Sequence, residues 1–120
     1  GKPQCAVLVD GFNFDWRAQG ARLERDPRFP RRTNVSFVRV ADPETLEVRF
    51  WERGAGETRS SGTGATGAFA AALARGLVRN RVRVLTPAGP LELRLSDSNS
   101  SIYLAGPAEL IARGVFLLRE

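Results

Sequence analysis

The chain has 120 residues, of which 42% are apolar and 26% charged, with a net charge of +5. That length builds one domain with a real core and not two, so residues 1–120 are expected to form a single domain. With no His and a single Cys5, an internal disulfide and a His-based nucleophilic triad are excluded and a zinc site is disfavoured.

Arginine supplies 17 of the 18 basic residues. A positive balance can mean a polyanion partner. Most of these arginines, however, alternate with apolar residues, as a solvated outer strand face requires. The one dense patch, Arg22-Arg25-Arg28-Arg31-Arg32, is mixed with Glu24 and Asp26 and lacks stacking aromatics. No nucleic-acid partner is expected. No apolar run reaches the length of a membrane span, and Arg75 interrupts the longest. No secretory signal opens the chain, and one lone cysteine fits a reducing compartment. A cytoplasmic location without a membrane partner is expected. The lack of any Met suggests a piece of a longer chain or a processed product.

Taken in order, Cys5–Val9 reads as a short apolar strand of the kind buried on both faces. Asp10-Gly11-Phe12-Asn13 is a turn. A helix is predicted from Asp15 to Glu24, with Asp15 as its N-cap and Trp16, Leu23 and Ala18 facing inward. Asp26-Pro27 and Phe29-Pro30 end it. Asn34–Val40 and Thr45–Trp51 read as antiparallel strands joined at Asp42-Pro43-Glu44. In the second, Leu46, Val48 and Phe50 point one way and Glu47, Arg49 and Trp51 the other.

A polar, glycine-containing turn is expected through Ser61. Gly62-Thr63-Gly64 then opens the long apolar helix, predicted to run to about Val78. Phe69, Leu73 and Leu77 recur at helical spacing, and alanines fill nearly every other position. A helix apolar on all sides should be enclosed. Arg81–Leu85 and Leu91–Leu95 form a further hairpin around Thr86–Pro90. Ser96–Ser100 is a polar loop, Ser101–Ala105 a strand, Gly106-Pro107 a turn and Val115–Leu118 a last strand. The order of strands, one central helix and strands reads as α+β, an antiparallel sheet or half-barrel wrapped around that helix.

The start of the long helix carries the functional reading. Its first turn, Thr63–Thr66, has no acid to compensate the helix dipole. Free N–H groups, small side chains and no internal anion make a site for an external one. A substrate carboxylate is expected there, with Ser61, Glu52 and Arg53 around it. Arg53 can hold a carboxylate bidentately and Glu52 an ammonium, a combination suited to an amino acid. Ser61 reads equally as an N-cap or as a side chain over the pocket. Asn34, which opens a strand after Thr33, is a residue more often used in a turn or cap than as a ligand. The string Gly62-x-Gly64-x-x-Gly67 matches a dinucleotide fingerprint. It lacks the preceding apolar strand and the acid some 20 residues on, so no nucleotide cofactor is inferred.

The segments Phe29-Pro30-x-Arg32-Thr33-Asn34-Val35, Trp51-Glu52-Arg53-Gly54-x-Gly56-Glu57-Thr58 and Ser61-Gly62-Thr63-Gly64-Ala65 closely resemble the carboxy-terminal half of diaminopimelate epimerase. The likeness runs from Gly1-x-Pro3 to Leu104-x-Gly106-Pro107-Ala108. It implies a cofactor-independent amino-acid epimerase of lysine and peptidoglycan precursor synthesis, converting LL- to meso-diaminopimelate. The family fold has two similar domains, and one cysteine from each faces the substrate α-carbon. By position, the resemblance places Asn34 and Lys2 on the substrate and gives its polar groups to Glu52 and Arg53. It gives the carboxylate to Gly62 and Thr63 and the acid/base position to Ser61. Gln4 stands where the family has a supporting His, and Lys2 where it has Asn. Ser61 stands where it has cysteine, and an alcohol is a far weaker acid than a thiol. Cys5 is expected to be structural. The implied partners are an amino-acid substrate and an amino-terminal domain of the same family, with a homodimer left open. This chain alone is expected to be inactive. The alternatives are a racemase or isomerase relative with another substrate, and a non-catalytic amino-acid-binding module.

Overall fold

The computed structural model describes residues 4–99, 101–105 and 110–115, the last segment as backbone. The elements run β1 (Gln4–Leu8), α1 (Trp16–Glu24), β2 (Asn34–Asp42), β3 (Thr45–Glu52), β4 (Gly56–Thr58), α2 (Gly62–Ala74), β5 (Arg81–Thr86), β6 (Gly89–Leu95), β7 (Ser101–Ala105) and β8 (Leu110–Val115). Lys2 and the Gly106-Pro107 turn lie outside the described residues. So does the expected last strand beyond Val115, which closes β8.

The strands join one sheet in the order β1-β2-β3-β5-β6-β7-β8, with β4 on a branch against β3. It curls around α2 as a half-barrel. Val38, Leu46, Val48, Phe50, Val82, Val84, Leu93, Ile102 and Leu104 meet Ala65, Ala68, Phe69 and Ala72 in one buried cluster. Each buried Phe stabilises by on the order of 1.5–3 kcal/mol. The α+β reading stands, and the predicted hairpins β2–β3 and β5–β6 are present. The sheet is nevertheless mixed, because β1–β2 and β3–β5 pair in parallel. Both parallel pairs join strands separated by a helix, the length of connection that parallel pairing needs.

Helix α1 forms where expected, with the Asp15 carboxylate capping the Ala18 amide at 3.1 Å. It packs on the opposite face of the sheet. There Trp16, Val35 and Phe37 make a second cluster with Cys5, Val7, Leu23 and Trp51 around it. Ala18, expected to face inward, is exposed, while Gly20 and Glu24 are buried. Burial raises the Cys5 thiol pKa, which fits a packing role.

Helix α2 ends at Ala74, short of Val78. Gly76 adopts φ +68°, a left-handed conformation that stops the helix, and Leu77 is left 39% exposed. The turn expected through Ser61 contains β4, whose Glu57 lies opposite Trp51. Helix enclosure depends on small residues. A Cβ on Gly64 would sit 2.8 Å from Phe50 Cδ1 and 3.0 Å from Ser61 Oγ, whereas on Gly67 it would meet the Gln4 side chain at 3.7 Å, an ordinary contact. Phe50 is buried and cannot step aside. Gly64→Ala is therefore expected to destabilise, because overpacking costs about 1–3 kcal/mol and outweighs a helix-propensity gain of roughly 1 kcal/mol. Gly67→Ala keeps the gain and is expected to stabilise by up to about 1 kcal/mol. Urea denaturation of the two variants should give opposite signs.

Candidate functional site

The chain brings the first residues of β1 and β2, the last of β3 and the first turn of α2 to one end of the fold. The register sets this arrangement. Ser36 pairs with Phe50 across β2–β3, and Gln4 pairs with Asn34 across β1–β2. The two-residue period of a strand then puts Asn34 on the face of Ser36 and Glu52 on the face of Phe50. That face is the helix side. Ser36 Oγ donates to the Gly64 carbonyl at 3.3 Å, and Phe50 abuts Gly64. Gln4 lies over Gly67, one turn further along α2.

At the helix start Ser61 is extended, with φ −151° and ψ 114°, and its Oγ accepts from the Gly64 amide at 2.9 Å. Ser61 is thus an N-cap, and its hydroxyl also lies 3.4 Å from Thr63 Oγ1. Thr66 Oγ1 donates back to the Gly62 carbonyl at 2.7 Å. The first turn contains no acid. The amides of Gly62 and Thr63 meet no acceptor among the described residues, and both residues are exposed. Two donors at the positive end of a thirteen-residue helix therefore face outward.

The other predicted residues are partly engaged by the chain itself. Asn34 Oδ1 accepts from the Arg53 amide at 2.6 Å, which fixes the β3–β4 turn to β2. Its amide nitrogen keeps no partner among the described residues. Glu52 accepts from Thr58 Oγ1 at 3.2 Å across the β3–β4 pair. The Arg53 guanidinium turns to the Arg31 carbonyl at 3.0 Å. That contact uses one of its five N–H donors. Gln4, Asn34, Glu52, Ser61, Gly62 and Thr63 thus share one end of the fold, with the Arg53 guanidinium tied to the loop before β2.

Glu24 is the residue that sequence reasoning missed. Its side chain is only 8% exposed. One oxygen accepts from Trp51 Nε1 at 2.9 Å and the other from the Gly54 amide at 3.2 Å, with Arg32 Nη1 at 3.5 Å. Gly20 lets α1 approach closely, since a Cβ there would fall 2.9 Å from Trp51. Glu24 therefore holds the turn that carries Glu52 and Arg53 from the face opposite α2. The Trp51 hydrogen bond, aided by the Gly54 amide and Arg32, holds its carboxyl pKa below the usual value. A charged helix residue gives no sign from its sequence position that it will be buried. Among the described residues no group of His, Cys, Asp and Glu is arranged to hold a metal, and no helix is long and apolar enough to cross a membrane.

The half-barrel around a helix is a known fold. It matches a PhzF-family phenazine biosynthesis protein from Enterococcus faecalis with a TM-score of 0.63 at 13% identity, over 87% of this chain and 37% of that one. A PhzF-family protein from Bacillus anthracis matches with a TM-score of 0.58 at 22% identity, over 82% and 33%. Sequence then narrows the class. The family model for diaminopimelate epimerase matches residues 1–111, and the chain belongs to that family. The diaminopimelate epimerase of Cyanothece sp. is 40% identical over 96% of this chain and 41% of its own length. Those of Moorella thermoacetica and Acaryochloris marina are 41% and 35% identical, over 98% and 97% of this chain and 43% and 41% of theirs. The chain thus spans about two fifths of the length of the relatives it matches.

The Glu24 staple has a defined pH signature. A depressed folded pKa stabilises fully above the ordinary glutamate value of about 4.3 and is lost as pH falls through the lower folded value. Glu24→Gln, which keeps the shape but loses charge-assisted acceptance, is expected to cost about 1–3 kcal/mol at pH 7. Urea midpoints of parent and variant should converge as the pH is taken below the carboxylate range.

Proposed function

We propose that this chain provides the carboxylate-binding half of an epimerase site, acting on diaminopimelate as its relatives' names indicate. The single observation that carries this reading is the outward pair of amides at Gly62 and Thr63, unpartnered among the described residues, at a helix start with no acid of its own. The α-carboxylate docks there. Carbanionic charge developing at the α-carbon during proton transfer is delocalised into that carboxylate, where two amides and the helix dipole stabilise it. Asn34 and Glu52 take the substrate's polar groups from the sheet side, Arg53 adds a guanidinium, Gln4 contributes from the start of β1, and the family resemblance adds Lys2 to the substrate contacts. No cofactor takes part. The amino-terminal domain of the same family completes the site, and the product feeds lysine and peptidoglycan precursor synthesis in the cytoplasm.

Ser61 occupies the acid/base position. Its hydroxyl is committed to the Gly64 amide, and an alcohol supplies no base strong enough to remove an α-proton at neutral pH. That observation favours a second reading for this chain by itself: an amino-acid-binding module that does not epimerise. Titration of the 120-residue chain with meso-diaminopimelate, followed by amide NMR, is expected to shift Gly62 and Thr63 saturably. Asn34→Ala and Glu52→Gln should weaken binding. Absence of shifts at the helix start would overturn the carboxylate site. In deuterium oxide the parent is expected to leave the substrate α-proton in place. Ser61→Cys should raise exchange by about 10²-fold, the lower range for a positioned base. No gain in a folded Ser61→Cys variant that still binds would assign the chain to binding alone.

A further inference from the structure

We infer that the solvent face of β5, β6 and β7 carries a second site, which takes the phosphate of a small organic phosphomonoester. In the β5–β6 register Arg81 stands directly opposite Arg94, and in the β6–β7 register Arg94 stands opposite Tyr103. The next register position, in β8, is Arg113. Like charges directly opposite on one sheet face repel and destabilise the pair. Three other arginines of the sheet and its flanks are relieved by acids: Arg83 meets Glu92 at 3.2 Å, Arg79 meets Glu44 at 3.3 Å, and Arg39 meets Glu47. Arg81 and Arg94 are treated differently. Both are exposed, and neither has a carboxylate within ion-pair distance among the described residues.

The surrounding shape suits a ligand. A concavity of about 710 Å³ is lined by Arg81, Glu92, Leu93, Arg94, Tyr103 and Ala105. That volume falls within the range of small-molecule sites and far exceeds a bare phosphate ion. The Arg94 guanidinium lies over the Tyr103 ring, 4.2 Å from its centroid. Stacking holds its plane and leaves the N–H edge for a planar, bidentate contact. Among the described residues Glu92 is the one acid of the wall, and Arg83 neutralises it. Two guanidiniums with no counter-ion among the described residues match a phosphate dianion, and charge-assisted bonds to it would offset their repulsion. The Tyr103 ring and the Ala105 side chain give the remaining volume an apolar wall for the group that carries the phosphate.

The site is separate from the start of α2, and this inference does not depend on the function proposed above. The 120-residue chain would be titrated at constant ionic strength with inorganic phosphate and with phenyl phosphate, with amide NMR as the readout. Saturable shifts are expected at Arg81, Arg94 and Tyr103, with phenyl phosphate binding more tightly than phosphate. The double variant Arg81→Gln, Arg94→Gln should raise the dissociation constant by about tenfold or more. Removing a repulsive pair should leave its melting temperature in phosphate-free buffer equal to or above the parent's. Three results would overturn the site: shifts confined to Gly62–Gly64, an affinity unchanged in the double variant, or no saturation. Equal affinity for the two probes would overturn the organic-phosphate assignment.

Discussion

The fold depends on how closely α2 approaches β2 and β3, and that closeness depends on a missing side chain. Gly64 lies where any Cβ would collide with Phe50. Because the helix can press against the sheet there, Ser36 reaches the Gly64 carbonyl and Ser61 closes the first turn. The amides left over, at Gly62 and Thr63, have no acceptor among the described residues. Packing, capping and the outward donors are therefore one arrangement, and a change at Gly64 would disturb all three.

The sheet side is held with comparable care by α1. Glu24, Trp51 and Gly20 join α1 to the end of β3, and Arg17 reaches Glu57 in β4. The turn bearing Glu52 and Arg53 is therefore fixed from both faces, by Asn34 on one side and Glu24 on the other. A short turn with glycines at φ +78° and +82° would otherwise have little to define it. Polar groups that hold one another in this way keep candidate ligands in place before any ligand arrives, which is how a small site limits the entropy it loses on binding.

Much of this was legible in the residues. An apolar run without a polar face can only be a buried helix, and the alternation in β3, β5 and β6 set their inward faces. Asp15 marked its cap. The long ordered signature from Trp51 to Ala65 marked the family. What stayed hidden came from contacts between distant segments. Local periodicity holds no information about which strand lies beside which, so the parallel pairs were missed. Leu77 continued the helical spacing, yet the left-handed Gly76 ended the helix before it. Ala18 looked like a core residue and is exposed. Glu24 looked like a surface charge, and only the fold supplies the indole and amide that make its burial tolerable. Ser61 could be read as cap or pocket residue, and the structure shows the cap.

The parallel junction between β3 and β5 has one more consequence. It is short, pairing Thr45–Glu47 with Arg83–Leu85, and is supplemented by the Arg79 and Arg83 amides bonding to Pro43 and Glu44. On one side of this seam lie both helices and the strands that carry the proposed amino-acid site; on the other lies a meander of hairpins, β5 to β8. Each half is stitched internally over longer registers than those that join them. One buried cluster nevertheless spans the seam, because Val82, Val84, Leu93, Ile102 and Leu104 of the meander pack with Ala65, Ala68, Phe69 and Ala72 of α2. The two halves are therefore joined more by side-chain burial than by ladder bonds, and loosening the meander would uncover the helix.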